Sequence, residues 1–175
     1  DIAYLALLIA ISPILVWRRF RLGKDRDGLW EKLSGRVTPR ESTNDCLWLH
    51  AVSVGEVLLL RPVIEEMRLR RPDLDIVLSV TTSTGHEVAV AKYPGCRVIY
   101  FPLDFTWAVS AALERIRPTA IALAELELWP NLIRAVRSAG AKVALINGRL
   151  SQRSYRGYRW VGPSVGSLLR QVDLA

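Results

Sequence analysis

The chain has 175 residues, of which 50% are hydrophobic and 23% are charged, so it can bury a core and is too apolar to be disordered. Its two cysteines exclude a disulfide-built scaffold and fit a reducing compartment. The formal net charge of +7 suggests a polyanionic partner, but the excess of basic residues is concentrated in two segments, 18–26 and 149–159.

The first predicted element is an uncharged apolar run from Ile2 to Trp17. As a helix it would be about 24 Å long, somewhat less than the ~30 Å of a bilayer's hydrocarbon layer. Arg18 and Arg19 follow the run, whereas the charges of a signal peptide precede its apolar stretch. We therefore predict a membrane anchor helix over 1–21, in preference to a buried core helix.

The next stretch, 22–45, is polar and rich in turn-forming residues, and it is predicted to be a linker. Residues 46–175 are then predicted to form one folded domain. The chain begins at Asp1 rather than Met and ends at Ala175 within an apolar stretch, so we expect it to be part of a longer protein.

Within 46–175, short apolar runs alternate with helical patterns. The predicted strands are Leu47–Val52, Ile76–Val80, Val98–Phe101, Ala120–Ala124 and Val143–Ile146. The predicted helices cover about 55–70, 85–92, 105–116, 130–139 and 164–171. Thr84 and Asp104 are predicted N-caps, and Gly140 a helix stop. This alternation predicts an α/β fold with a Rossmann-like parallel sheet, in which ligands bind beyond the carboxyl ends of the strands.

The segment after the first predicted strand contains Ser53, Gly55 and Glu56. A single glycine does not make a dinucleotide-binding fingerprint, but Gly55 would let the turn pass close to a ligand. Glu56 would lie at the start of the next helix. Because a helix N-terminus favours an anion by ~0.3–1 kcal/mol, Glu56 can be structural, and its spacing alone leaves structural and functional interpretations equally open.

Polar residues also follow the other strands. Thr82 and Ser83 offer donors for phosphate or sugar oxygens, or simply cap a helix. Glu125 follows a wholly apolar strand, so it is either buried with a partner or exposed at the ligand edge. Asn147 leads into Arg149, a residue type suited to carboxylates and phosphates. These residues predict a cleft with carboxylates for base chemistry and arginines for anions.

Four segments carry a resemblance to a known family, and they occur in the order HAVSVGEV (50–57), TTSTG (81–85), ELELWPN (125–131) and NGRLS (147–151). Together they resemble the N-terminal half of the 3-deoxy-D-manno-octulosonic acid (Kdo) transferases of lipopolysaccharide synthesis. The resemblance covers essentially the whole chain. Leu126 stands where the family commonly has Thr or another small polar residue.

The resemblance implies a two-domain GT-B glycosyltransferase in which this chain binds a lipid A precursor. A C-terminal domain beyond Ala175 would bind the donor, CMP-Kdo. It implies an inverting transfer without metal or cofactor, in which a general base takes a proton from the acceptor hydroxyl. The match assigns that base to Glu56. The expected substrate-binding residues are Ser53, Gly55, Thr82, Ser83, Glu125, Glu127, Asn147 and Arg149.

The resemblance also implies a location at the cytoplasmic face of the bacterial inner membrane. Anionic lipids there would attract basic segments by ~1 kcal/mol for each nearby Lys or Arg. The segment 18–26 would hold the chain to the leaflet, while 149–159 either faces lipid phosphates or is a solvated helix face. The alternative function is a membrane-anchored module that binds anionic lipid without catalysis, and the 175-residue chain alone is expected to be inactive. No nucleic-acid-binding pattern is present.

Overall fold

The computed structural model describes residues 28–125, 127–148 and 162–175. The predicted anchor over 1–21 and the whole second basic segment, 149–159, lie outside the described residues. In the part of the chain that is described, no helix combines the length and the apolar character needed to cross a bilayer.

The described residues form a five-stranded sheet flanked by helices. The strands are β1 Cys46–Ala51, β2 Asp75–Val80, β3 Arg97–Tyr100, β4 Ala120–Ala124 and β5 Lys142–Ile146. The helices are α1 Leu29–Ser34, α2 Val54–Leu59, α3 Arg61–Arg70, α4 Ser83–Lys92, α5 Thr106–Ile116, α6 Pro130–Ser138 and α7 Gly162–Leu169. All five predicted strands are confirmed, with ends that differ by at most one residue.

The strand order is β3-β2-β1-β4-β5, and each neighbouring pair is parallel. Strands β2 and β3 are therefore added in turn on one side of β1. The chain then crosses over, and β4 and β5 are added in turn on the other side of β1. This order confirms the predicted Rossmann-like parallel sheet, and it makes the carboxyl ends of β1 and β4 the point where the winding direction changes.

The sheet is buried on both faces, as the apolar strands predict. Trp48 and Ile121 point to one face, where they pack with the apolar side chains of α5 and α6. Leu49 and Leu78 point to the other, where they pack with α2, α3 and α4. These four side chains are fully buried or nearly so, because each strand has helices above and below it.

Part of the predicted linker, 22–45, is folded against the domain. The helix α1 packs on α5, and Val37 is buried in the core. Arg40 donates a hydrogen bond to the carbonyl of Ile116 (2.8 Å) and pairs with Asp75 (2.5 Å). The polar composition of this stretch does not reveal its packing, because Arg40 bonds to residues that lie far from it in sequence.

The helix predicted over 55–70 is two helices, α2 and α3, which meet at Leu60. The backbone N–H of Leu60 still donates to the carbonyl of Glu56 (3.2 Å), so α2 closes before α3 begins. Pro62 lies in the first turn of α3, where a missing N–H costs no helical hydrogen bond. The proline therefore marks the start of a new helix within one apolar pattern.

The N-cap of α4 is Thr82, two residues before the predicted cap, Thr84. Its Oγ1 accepts a hydrogen bond from the N–H of Gly85 (3.1 Å). A Cβ at Gly85 would lie 2.9 Å from this oxygen, so the glycine leaves room for the cap. Four hydroxyl residues, 81–84, follow β2 in succession, and composition alone does not identify which of them caps the helix.

Asp104 was predicted to cap α5, and this is wrong: its carboxylate caps α6, which follows a different strand. It accepts hydrogen bonds from the backbone N–H groups of Asn131 (3.0 Å) and Leu132 (2.8 Å). The N-cap position of α6, Trp129, has no side-chain cap of its own. Asp104 therefore joins the end of β3 to the start of α6 across the edge of the sheet.

We expect Asp104→Ala to lower the free energy of unfolding by about 1–2 kcal/mol, because two backbone donors of α6 lose their acceptor. Asp104→Asn should lose less, since the amide oxygen can still accept one of the two bonds. Urea denaturation followed by circular dichroism measures both variants. An Asp104→Ala variant as stable as the wild type would contradict this capping role.

Candidate active site

The predicted site residues collect at the carboxyl edge of the sheet. Ser53 and Glu56 follow β1, Glu125 and Glu127 follow β4, and Asn147 follows β5. Because β1 and β4 are neighbours, the first two pairs flank the point where the winding direction changes. The structure thus places the predicted carboxylates together at the edge where such sheets bind ligands.

Glu56 closes the first turn of α2. Its Oε2 accepts a hydrogen bond from the N–H of Val52 (2.7 Å), and its Oε1 accepts one from the hydroxyl of Ser53 (2.9 Å). Ser53 is the N-cap of α2 and faces Glu56 three residues later, the spacing of a capping box. The Glu56 side chain is thereby held in one position, and the residue is only 8% exposed.

Both oxygens of Glu56 keep a free lone pair in this arrangement, since a carboxylate has about four acceptor positions. Gly55, which lies between the two capping residues, contributes open space. A Cβ at Gly55 would meet only the Ser53 Oγ, at 3.8 Å. The surface of the turn at Gly55 is therefore open, and its predicted contact with a ligand stays a prediction.

Glu125 has a left-handed backbone conformation, with φ of 60°. A non-glycine residue in this region costs roughly 1–2 kcal/mol. The N–H of Glu125 donates to the carbonyl of Ile146 (2.8 Å), which holds the strained turn against β5. Such strain is common at functional sites, and here it turns the chain sharply as it leaves β4.

Glu127 is half-buried, and burial is the main cause that raises the pKa of its carboxyl above the usual range. The negative charges of Glu56 and Glu125 raise this pKa further. The effect of these two charges on Glu127 indicates that the three carboxylates lie close together.

The hydroxyl residues after β2 divide into two kinds. Thr82 is used as the N-cap of α4. The Thr81 Oγ1 and the Ser83 Oγ are buried and have no hydrogen-bond partner among the described residues. Buried hydroxyls without a partner are unfavourable, so Ser83 is better placed than Thr82 to bind a ligand oxygen. Sequence reasoning did not single out Thr81, because a hydroxyl cluster alone does not show which members are paired.

Asn147 is exposed at the end of β5 and has a φ of 55°, a conformation that Asn tolerates better than most residues. It lies beside Glu125, since Glu125 pairs with the last residue of β5. Arg149, the predicted anion-binding residue, lies outside the described residues.

A buried aromatic layer lies beneath the Glu125–Trp129 segment, and the sequence did not predict it. The His50 ring stacks on the Phe101 ring with 3.7 Å between their centroids. The Trp129 ring lies edge-on to the His50 ring, with 6.4 Å between those two centroids. Burial lowers the pKa of His50 to about 3, so the imidazole is neutral. Its Nδ1 lies 3.0 Å from the Ser79 hydroxyl. This layer supports the segment that carries Glu125 and Glu127.

The described residues contain no group of three or more His, Cys, Asp or Glu side chains placed to hold a metal ion. A cavity of about 730 Å³ lies at the opposite, amino edge of the sheet, with Arg40, Arg68 and Arg97 in its wall. Arg40 already pairs with Asp75 there, and none of the predicted site residues lines this cavity.

A family model described as "3-Deoxy-D-manno-octulosonic-acid transferase (kdotransferase)" matches residues 26–175. The chain is 34% identical to a probable mitochondrial 3-deoxy-D-manno-octulosonic acid transferase of Arabidopsis thaliana, over 91% of this chain and 36% of that protein. It is 30% identical to a 3-deoxy-D-manno-octulosonic acid transferase of Bordetella pertussis, over 97% of this chain and 42% of that protein. The chain therefore spans less than half the length of these relatives.

A bifunctional glycosyltransferase/methyltransferase of Fusobacterium nucleatum is 37% identical, over 89% of this chain and 26% of that protein. Among solved structures, the Bordetella bronchiseptica enzyme WbmG in complex with NAD is similar to 62% of this chain, with 18% identity and a TM-score of 0.40. This structural likeness is too partial to support an inference about ligands.

We expect Glu127→Gln to stabilise the protein at pH 7. Folding raises the pKa of Glu127 above its usual 4.5, so the wild type loses stability as the pH rises through the folded pKa and the carboxyl ionises. The advantage of the variant should shrink toward pH 4, where the wild-type carboxyl is protonated. Urea denaturation at both pH values tests this, with the exposed Glu87→Gln as a matched control. A variant less stable than the wild type at pH 7 would contradict the repulsion among the three glutamates.

Proposed function

The chain belongs to the 3-deoxy-D-manno-octulosonic acid (Kdo) transferase family, whose model matches residues 26–175. From this premise we propose that it supplies the acceptor site and the general base of an inverting glycosyltransferase that moves Kdo from CMP-Kdo to a lipid A precursor. The observation that carries the proposal is the position of Glu56, held at the ligand edge of the sheet beside two further carboxylates.

In the proposed reaction, Glu56 takes the proton from the acceptor hydroxyl as that oxygen attacks the anomeric carbon of Kdo. The new carbon–oxygen bond forms as the bond to CMP breaks, and CMP leaves with the bonding electron pair. Attack from the face opposite the leaving group inverts the anomeric centre. The hydrogen bonds from Val52 and Ser53 keep the Glu56 carboxylate oriented toward the acceptor without using all of its lone pairs.

Glu127 is proposed to bind the substrate through its half-buried carboxyl group. A carboxylate oxygen of Glu127 would accept a hydrogen bond from a sugar hydroxyl. The buried hydroxyl of Ser83, which has no partner among the described residues, suits another sugar or phosphate oxygen. Glu125 and Asn147 complete this edge, and we propose that Arg149, the next residue but one after Asn147, binds a phosphate group.

An apolar rim beside the proposed base fits a lipid acceptor. Leu58 and Leu59 follow Glu56 on the same short helix, and they are 49% and 52% exposed. Exposed leucines next to a polar site suit a substrate that carries both phosphorylated sugars and acyl chains. This pairing favours a glycolipid acceptor over a fully soluble one.

For the whole protein we propose a GT-B enzyme at the cytoplasmic face of the bacterial inner membrane. The chain would comprise an anchor over 1–21, a segment over 22–45 whose described part, 28–45, folds against the domain, and the acceptor-binding domain over 46–175. A further domain would bind CMP-Kdo, which agrees with the chain spanning 42% of the Bordetella pertussis relative. The basic segment 18–26 would contact anionic lipids of the leaflet.

We expect Glu56→Gln in the full-length protein to lower the rate of Kdo transfer by about 10²–10⁴-fold, the usual contribution of a general base. Binding of the lipid A precursor should change little, because the amide oxygen of Gln can still accept a hydrogen bond from the α2 turn. Transfer is measured with labelled CMP-Kdo, and acceptor binding by titration into detergent-solubilised protein.

The control for this variant is Glu65→Gln on α3, an exposed glutamate that pairs with Arg61 at 2.7 Å and lies away from the site. It should transfer Kdo at the wild-type rate. Near-wild-type turnover by Glu56→Gln would rule out Glu56 as the base. A wild-type protein that binds the acceptor but transfers no Kdo would instead favour the lipid-binding module.

A further inference from the structure

Two tryptophans are exposed on neighbouring helices. Trp30 on α1 is 71% exposed, and Trp107 on α5 is 49% exposed. They border a groove of about 400 Å³ whose wall also includes Leu33 and Arg36. Leu29, the first residue of α1, is a further exposed apolar side chain. We call Leu29, Trp30, Leu33, Arg36 and Trp107 the tryptophan face.

The tryptophan face is firmly built into the domain. The Trp107 indole N–H donates to the carbonyl of Leu33 (3.0 Å), and its ring stacks on Phe105 with 4.3 Å between centroids. Gly35 ends α1 with a φ of 66°, and a Cβ there would overlap the carbonyl of Ala108 on α5. The close approach of α1 to α5 therefore depends on this glycine.

The chemistry of the tryptophan face fits the interfacial region of a lipid bilayer. Indole rings combine an apolar body with a polar N–H, and they concentrate at the level of the lipid headgroups. Arg36 is exposed and forms no ion pair within the described residues, so its guanidinium is available to a phosphate. Glu31, the acidic residue of α1, turns inward and accepts a hydrogen bond from the N–H of Tyr100 (2.9 Å).

The basic segment 18–26 ends shortly before α1 in the sequence. From Arg26 to Leu29 is three residues, which span at most about 10 Å. This reach is comparable to the ~8 Å over which surface charges act at physiological ionic strength. If Arg26, the last residue of this segment, contacts an anionic leaflet, the tryptophan face lies within reach of the same leaflet.

We propose that the tryptophan face docks on the surface of an anionic phospholipid bilayer, with Trp30 and Trp107 inserted among the headgroups and Arg36 bound to a phosphate. The proposal rests on the membrane location proposed above for the whole protein. Trp107 lies in the first turn of α5, at the same edge of the sheet as Glu56. Docking here would therefore bring the acceptor site beside the leaflet from which a glycolipid is drawn.

The test uses full-length protein and vesicles of phosphatidylethanolamine and phosphatidylglycerol whose acyl chains are brominated near the headgroup. Bromine quenches only indoles that enter the bilayer. Because the Trp30→Phe/Trp107→Phe double variant lacks both indoles of the face, the wild type should lose more emission than this variant. Vesicles of phosphatidylcholine alone should quench the face less, because they lack the anionic headgroup.

The matched control is Leu69→Trp. Leu69 lies on α3, which packs on the opposite side of the sheet, and its side chain is 77% exposed. The added indole should not be quenched. Equal quenching of wild type and the double Phe variant would overturn the proposal. Protection of the two tryptophans from acrylamide that rises with protein concentration, without vesicles, would also overturn it and indicate a second copy of the chain.

A second assay measures Kdo transfer by the wild-type protein to a detergent-solubilised acceptor. Because this assay needs no bilayer, it tests the proposed function independently of the docking surface. Transfer in detergent together with no quenching of the face would reject the docking surface alone. Quenching of the face without any transfer would support the docking surface and reject the proposed enzyme.

Discussion

The parallel pairing of β1 with β4 is the constraint on which the candidate site depends. This pairing joins the strands that begin the two halves of the sheet, and the helices that follow them cover opposite faces. The chain therefore leaves the two carboxyl ends in opposite directions and opens a crevice between them. Glu56 follows the strand on one side of this crevice and Glu125 the strand on the other, so residues about 70 positions apart in sequence lie at one place.

The same side chains support the local structure and the proposed chemistry. Ser53 and Glu56 form a helix cap, which by itself would account for both residues. The same hydrogen bonds orient the Glu56 carboxylate. A general base needs such orientation, since it must lie within hydrogen-bond reach of the proton that it takes. Structural and catalytic interpretations of Glu56 are therefore compatible, and only a measurement that separates stability from turnover distinguishes them.

Much of the fold follows from the sequence, since five apolar runs separated by helical patterns define a parallel sheet with little ambiguity. What the sequence could not show depends on contacts between distant residues. Asp104 caps a helix that begins 26 residues later. Arg40 bonds a polar segment to the end of α5, although composition alone predicts that this segment is a linker. Local spacing contains no signal for either contact.

The candidate site was predicted in position but not in detail. Each predicted residue that the structure describes lies at the carboxyl edge, because the ends of parallel strands converge there. The sequence could not show that Thr82 is used in a cap while the hydroxyls of Thr81 and Ser83 lack partners. Nor could it show that His50, buried on Phe101, supports the segment of the two glutamates, because burial depends on the completed fold.

The most direct test of the account is a crystal structure of the full-length protein with a lipid A precursor bound. If Glu56 is the base, the acceptor hydroxyl that receives Kdo lies about 2.6–3.2 Å from a carboxylate oxygen of Glu56, with its sugar between the ends of β1 and β4. An acceptor bound elsewhere, such as at the amino edge beside Arg97, or a hydroxyl out of reach of Glu56 even through one water, would contradict it.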